Sequence, residues 1–214
     1  MKSAERLGSS RVSVGWPLAL GLGSFGIGYV ALVLLGPALG DRMLPWILGR
    51  GLGLASFLAL SALVALGIWY RHEGRLARSV LHPAVILRTH AALALACAAL
   101  VGAHVVALVL DPYAKVGLIG ALIPGRSLYR PLGVALGTIA AYLGIIVGAT
   151  AAGAGRIGRS WLPLHRLAAA TFVFAWLHGV SSGTDTVALR WLYGVVGVAV
   201  VMLGVTRYIQ ARVA

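Results

Sequence analysis

The chain has 214 residues, of which 60% are hydrophobic and 11% charged, and its mean hydropathy is +0.93. Soluble domains are nearer half apolar and a quarter charged, so these values exclude a soluble enzyme, a disordered protein and a disulfide scaffold. The net charge of +13 comes from Lys and Arg residues scattered among apolar runs, which argues against nucleic-acid binding. The class that remains is a polytopic membrane protein.

Six long apolar runs predict six transmembrane helices, because each span needs about 20 apolar residues. The first run follows Lys2, Arg6 and Arg11 and resembles a signal peptide, but it is too long for one and lacks a small-residue cleavage site. We expect an all-α fold, with residues 1–214 forming a single transmembrane six-helix bundle. The predicted spans are residues 16–39, 47–70, 88–110, 131–154, 163–181 and 187–209.

The distribution of basic residues predicts the orientation. With the N-terminus inside, 12 of the 18 Lys and Arg residues fall in inner segments and the other 6 in outer loops. Because cytoplasmic loops carry the excess of Lys and Arg, we expect both termini in the cytoplasm and a multi-pass protein of the cell (inner) membrane. Residues 72–87 of the inner loop fit either a short interfacial helix or a plain loop.

Four of the six histidines lie inside two predicted spans. His90 and His104 are 14 residues apart, about 21 Å of helix, and His165 and His178 are 13 apart, about 19.5 Å. Both spans run from inside to outside, so His90 and His165 share the inner level, and His104 and His178 the outer level. His72 and His82 lie in the inner loop, and the sequence assigns them no role.

These levels indicate two stacked bis-histidine haems. An imidazole buried in lipid is costly unless both ring nitrogens find partners, and metal ligation by one with a hydrogen bond from the other meets that need. The lone Cys97 cannot form a CxxCH attachment, so the haems would be b-type, two per chain. Hydrogen-bonded structural histidines are the alternative.

The helical angles fit this interpretation unequally. At 100° per residue, His104 lies about 40° from His90, on one face, whereas His178 lies about 140° from His165. A first-turn position of His165 after Pro163, or a bulge within the span, would reconcile the second angle.

Charged residues near the histidines suit haem propionates. Arg88 and Arg166 flank the inner ligands, and Arg130 is a candidate at the outer level, although each also suits an interfacial anchor. No carboxylate lies inside a span, which argues against an ion-coupled transporter. The span at 131–154 carries a stripe of small residues, which lets another helix or a haem edge approach closely. Its glycines are Gly133, Gly137, Gly144 and Gly148.

The double histidine pattern resembles the ferric reductase-like transmembrane domain family. That family includes ferric reductases, the membrane part of NADPH oxidases and the bacterial haem subunit of the methionine sulfoxide reductase system. The resemblance implies six helices, two b haems held by His90 with His165 and by His104 with His178, and outward electron flow. It covers roughly residues 45–210, and its most specific pieces are Arg88-Thr89-His90, Asp111-Pro112-Tyr113, Tyr129-Arg130-Pro131, Leu164-His165-Arg166 and His178-Gly179.

One departure from the family concerns the electron donor. Full ferric reductases append a flavin and nicotinamide module, and we expect none here, because no GxGxxG follows a predicted strand. The expected function is therefore an oxidoreductase component that needs a partner for catalysis. It would carry electrons from a cytoplasmic flavin reductase or the quinone pool, through the haems, to a protein or small molecule at the outer face.

Two other functions stay open at this stage. One is a quinone-reactive cytochrome b that anchors a larger respiratory complex. The other is a haem-free helical carrier or scaffold. Whichever function the chain has, we expect membrane lipid as a partner and no nucleic acid.

Overall fold

The computed structural model describes residues 43–72 and 83–213. Within these ranges the chain is helical and contains no strand, which confirms the expected all-α class, while six spans and the position of both termini stay predictions. The elements are α1 (Leu44–His72), α2 (Pro83–Leu110), α3 (Gly117–Leu122), α4 (Pro131–Ala152), α5 (Ala154–Ile157), a 3₁₀ helix (Gly158–Ser160), α6 (Trp161–His165), α7 (Ala168–Ser182) and α8 (Thr186–Val213).

Four of these helices are long and apolar enough to cross a membrane, as expected of a multi-pass membrane protein. They match the predicted spans at 47–70, 88–110, 131–154 and 187–209. The inner-loop residues 83–87 form the start of α2 rather than a separate interfacial helix. The first predicted span, at 16–39, and His82 lie outside the described residues. The apolar segments are Leu44–Trp69, Ala84–Leu110, Pro131–Ala152 and Thr186–Gln210.

The predicted span at 163–181 is interrupted, so it is not one continuous helix. At the junction of α6 and α7, the Leu167 N–H bonds the Leu164 carbonyl at 3.0 Å, and the Ala169 N–H bonds the Arg166 carbonyl at 3.2 Å. Bonds to the third preceding residue define a 3₁₀ helix, which turns about 120° per residue instead of 100°. The chain therefore keeps its direction here but winds more tightly.

Two pairs of helices pack closely, α1 with α2 and α4 with α7. Helix α1 also contacts α7 and α8, whereas α2 and α7 make little direct backbone contact. Between them α1, α7 and α8 bury an aromatic cluster of Phe57, Phe172 and Tyr193, in which Phe57 stacks on Phe172 with ring centroids 6.2 Å apart. Helices α2 and α7 thus flank a space that side chains must fill.

The connection from α2 to α4 is tied down at its start. The Asp111 carboxylate is buried and accepts the backbone N–H groups of Tyr113 at 3.2 Å and Ala114 at 2.6 Å. Tyr113 then packs against Trp46 of α1, with ring centroids 5.4 Å apart. The Asp-Pro-Tyr sequence therefore closes a turn and fastens it to the first turns of α1.

Candidate functional site

The four intramembrane histidines meet as two facing pairs. The rings of His90 and His165 have centroids 6.2 Å apart, and those of His104 and His178 are also 6.2 Å apart. Each pair joins α2 to the α6–α7 segment across the space that those helices leave open. We call them the His90–His165 pair and the His104–His178 pair.

This separation suits a metal ion held between two imidazoles. A metal lies about 2.0–2.1 Å from a ligating imidazole nitrogen, and that nitrogen about 1.1 Å from its ring centre, so centroids on opposite sides of one metal lie about 6.4 Å apart. The observed 6.2 Å is close to that value. It is too long for direct stacking of two five-membered rings.

In the His104–His178 pair, both rings are oriented by backbone carbonyls. Nδ1 of His104 lies 2.6 Å from the Gly49 carbonyl oxygen, and Nδ1 of His178 lies 2.8 Å from the Gly133 carbonyl oxygen. A carbonyl only accepts, so each Nδ1 carries the proton and donates it. The lone pair of each ring is then on Nε2, the tautomer that metal-ligating histidines adopt.

Glycines form the backing of three of the four rings. A Cβ added to Gly53 would lie 2.9 Å from Cε1 of His104, and one added to Gly137 would lie 2.7 Å from Nδ1 of His178. Gly67 is slightly looser, at 3.2 Å from Cε1 of His90. At Gly53 and Gly137 these distances leave no room for a side chain unless the ring moves, and at Gly67 the ring would have to shift by a few tenths of an ångström.

The tighter winding at the junction of α6 and α7 reduces the helical angle between His165 and His178. Thirteen residues of regular helix place them about 140° apart, and the tighter winding at Arg166 and Leu167 reduces that difference by roughly 20° for each step. His165 also packs edge-on against Trp161, with ring centroids 5.0 Å apart. The local distortion thus corrects the angle in the direction that the pairs require.

The predicted propionate partners are found in different environments. Arg88 and Arg166 are exposed, next to the His90–His165 pair in sequence. Arg130 adopts a left-handed backbone conformation (φ 39°), and its Nη1 donates to the carbonyls of Ser181 at 2.9 Å and Gly183 at 3.3 Å. Arg130 therefore closes the C-terminal end of α7, five residues after His178.

Some residues of the site were missed by sequence reasoning. Gly49 and Gly53 on α1 contact His104 as Gly133 and Gly137 on α4 contact His178. The first glycine of each pair supplies the carbonyl that accepts from the ring, and the second lies against the ring. Gly53 and Gly67 are 14 residues apart, like His90 and His104. This matching interval is the sequence feature that could have predicted glycines opposite these two histidines.

A charged contact beside the site was also missed. Arg50, which follows Gly49, forms an ion pair with Asp185 from the connection between α7 and α8. The Arg50 Nε donates to Asp185 Oδ2 at 2.7 Å. The contact ties the start of α1 to the end of α7, and so fastens both helices near the His104–His178 pair. The sequence interpretation had counted Arg50 only as an outer-loop charge.

Among residues 43–72 and 83–213, no group of three or more His, Cys, Asp or Glu side chains is arranged to hold a metal ion. A haem iron bound by two histidines needs only two protein ligands, and each pair provides two. Comparison of the chain with protein-family models, curated proteins and solved structures gives no match. The resemblance to ferric reductase-like proteins therefore stays a prediction.

Proposed function

We propose that the chain is a transmembrane electron-transfer subunit that holds two b-type haems. One haem would lie between His90 and His165 and the other between His104 and His178. The observation that carries the proposal is the pair of equal 6.2 Å ring separations, each close to the span of one metal between two imidazoles. Structural histidines would keep hydrogen bonds to backbone carbonyls like those of His104 and His178 without any metal, and the histidine variants below separate the two roles.

The fit of the protein to haem rests on the donor chemistry and on the glycine backing. The Gly49 and Gly133 carbonyls hold Nδ1–H of His104 and His178, which fixes each ring's tautomer and raises the basicity of its Nε2. Gly53 and Gly137 admit the rings closely against α1 and α4. The bound haem supplies reversible one-electron chemistry at an iron without an open coordination site.

The layer between the two pairs contains buried aromatic side chains together with the buried hydroxyls of Ser56, Ser61 and Thr171. Phe172 follows His165 by seven residues, precedes His178 by six, and is only 2% exposed. It stacks on Phe57 of α1, and Cys97, midway between His90 and His104, is also buried. These buried side chains place aromatic rings between the two histidine levels.

We further propose the direction and the partners. With six spans and both termini in the cytoplasm of a cell-membrane protein, electrons would enter at the His90–His165 pair from a flavin reductase or a quinol. They would leave from the His104–His178 pair to a protein or small-molecule acceptor outside. Rapid reduction of vesicle-bound protein by a quinol analogue alone would identify the quinone pool as donor, whereas dependence on added flavoprotein would identify a reductase.

Single histidine variants test the assignment. We expect His90→Ala and His165→Ala to abolish the same redox transition in a potentiometric titration followed by visible absorption, and His104→Ala and His178→Ala to abolish the other. His72→Ala is the matched control, because it removes a histidine outside both pairs, and it should keep both transitions. Loss of one transition by both His90→Ala and His178→Ala, or no loss in any of the four variants, would contradict the proposal.

A further inference from the structure

The last four backbone carbonyls of α7 all have hydrogen-bond partners. The final carbonyls of a helix have no partner within it, and an unpaired one is costly away from water. The Thr186 hydroxyl lies 3.2 Å from the carbonyl oxygens of both Gly179 and Val180. The carbonyls of Ser181 and Ser182 are bonded instead by side chains that precede α4.

These two side chains belong to consecutive residues. The Tyr129 hydroxyl donates to the Ser182 carbonyl at 3.1 Å. Nη1 of Arg130 donates to the Ser181 carbonyl at 2.9 Å, and it lies 3.3 Å from the Gly183 carbonyl oxygen. A positive charge at the C-terminal end of a helix also interacts favourably with the helix dipole. The end of α7 is therefore fastened to the residues that begin α4.

Tyr129 and Arg130 are themselves held in place by neighbouring groups. The Ser127 hydroxyl bonds both the N–H and the carbonyl of Tyr129, at 3.1 and 2.8 Å, and Ser127 is 3% exposed. The Tyr129 ring packs edge-on against Trp46 of α1, with ring centroids 5.7 Å apart. Cζ of Arg130 lies 5.5 Å from the centre of the Tyr129 ring. The left-handed backbone of Arg130 (φ 39°) is a strained conformation that persists only where such contacts hold it.

Through Trp46, Tyr129 contacts the turn of α1 that orients one outer histidine. Trp46 lies three residues before Gly49, and the Gly49 carbonyl oxygen is 2.6 Å from Nδ1 of His104. Three residues span less than one turn of helix, about 4.5 Å. A displacement of Trp46 would therefore also displace the carbonyl that holds His104.

The fastened end of α7 carries the other outer histidine. Ser181 and Ser182 follow His178 by three and four residues, about one turn of helix. Both hydroxyls lie against Gly133 of α4, where an added Cβ would be 3.0 Å from Ser181 Oγ and would collide with Ser182 Oγ. The Gly133 carbonyl also accepts from Nδ1 of His178. The position of this helix end therefore determines how His178 lies against α4.

We infer that Tyr129 and Arg130 are positioning residues, which hold His104 and His178 at the separation that one haem iron requires. Tyr129 joins α1 to α7 through its ring and its hydroxyl, and Arg130 fastens the same end of α7. Neither side chain has to touch the haem for this role. The inference rests on the two-haem proposal above. The His90–His165 pair lies about 20 Å away along the helices, so it should not respond to changes at these residues.

Conservative variants separate this role from packing and from charge. Tyr129→Phe removes only the hydroxyl and keeps the ring. Arg130→Lys keeps the positive charge but replaces the guanidinium fork by a single nitrogen. Tyr142→Phe is the matched control for the tyrosine, because its hydroxyl also bonds a backbone carbonyl, but one of α3. Arg126→Lys is the control for the arginine, since Arg126 is exposed on the same connection.

Two measurements on the full chain in lipid nanodiscs test the inference. Hydrogen exchange of residues 178–183 reports on the end of α7 without reference to haem, and it should be several-fold faster in Tyr129→Phe and Arg130→Lys than in wild type and both controls. Low-spin EPR signals of the oxidised protein depend on the angle between the two axial imidazole planes, which is 74° for His104 and His178. The signal that His104→Ala abolishes should shift in both variants, while the other signal stays unchanged.

Unchanged exchange in both variants would overturn the inference, and so would faster exchange without a shift of the EPR signal, since the bonds would then be structural only. Equal shifts of both EPR signals, or a shift as large in Tyr142→Phe, would also overturn it. A shift in Arg130→Gln alone would assign Arg130 a role through its charge instead. Each of these results leaves the two-haem proposal standing, whereas a colourless wild-type protein would refute both. Should Arg130→Lys fail to fold, Tyr129→Phe gives the same comparison.

Discussion

Replacing Gly137 by alanine should remove the haem that we propose between His104 and His178. The new Cβ would lie 2.7 Å from Nδ1 and 2.9 Å from Cγ of His178. Contacts between such atoms are most favourable at about 3.5–4.0 Å, so the ring has to retreat from the new Cβ by roughly 0.8–1.0 Å to reach about 3.5–3.7 Å, the near end of that range. Metal–ligand distances tolerate about 0.2 Å, so the retreat breaks ligation. It also strains the 2.8 Å bond from Nδ1 to the Gly133 carbonyl.

The same calculation orders a series of alanine variants. Gly53→Ala brings a Cβ to 2.9 Å from Cε1 of His104, so it should act almost as strongly as Gly137→Ala and on the same haem. Gly67→Ala, at 3.2 Å from Cε1 of His90, requires a ring shift of only about 0.3–0.5 Å. It should keep both haems and shift the redox potential of the His90–His165 haem. Gly51 and Gly148 are matched controls with no atom within 4 Å of an added Cβ.

The assay is the haem-to-protein ratio of each purified variant, measured as the pyridine haemochrome, together with its reduced-minus-oxidised spectrum. We expect the ratio to fall by about half in Gly137→Ala and Gly53→Ala, and to stay at the wild-type value in Gly51→Ala and Gly148→Ala. The reasoning is refuted if Gly137→Ala keeps the full ratio and an unchanged spectrum, or if Gly148→Ala loses as much haem as Gly137→Ala does.

Two further predictions concern the ends of the helices. Asp111→Ala should lower the free energy of unfolding by about 1–3 kcal/mol, because the buried N–H of Ala114 and the part-buried N–H of Tyr113 lose their acceptor, while Asp111→Asn should cost less. Thermal unfolding in lipid nanodiscs measures both, and equal stability of Asp111→Ala and wild type would contradict the assigned role. Asp185→Asn should cost less than about 1 kcal/mol, since the Arg50 and Asp185 side chains are 39% and 41% exposed. A larger loss in the same assay would show that this ion pair is shielded from water.

Most of the helical architecture follows from the sequence, because hydropathy alone marks a segment that lipid must surround. Helices α1, α2, α4 and α8 match the predicted spans for this reason. The interruption near His165 did not follow, although the 140° mismatch between His165 and His178 indicated a departure from regular winding. Bonds to the third preceding residue depend on how α6 and α7 pack, which no local pattern around Pro163 specifies.

The candidate site was only partly predictable for a similar reason. The nearly equal intervals of 14 and 13 residues predicted that the histidines form two pairs at two depths, since spacing along a helix determines depth. Gly53 and Gly67 belong to the site because they lie against His104 and His90 of α2. The sequence of α1 alone does not show which residues of α2 it faces. The position of α3 against α4 depends in the same way on hydrogen bonds from the Thr138 and Tyr142 hydroxyls to the Ala121 and Leu122 carbonyls, and these hydroxyls lie far from α3 in sequence.

The haem content of the purified wild-type chain tests the central claim most directly. A pyridine haemochrome titration against protein mass should give two b haems per chain, with a low-spin spectrum when oxidised, because each facing pair would supply two histidines to one iron. A ratio of one would mean that one histidine pair is structural. A colourless protein, purified from cells supplied with haem, would contradict the account.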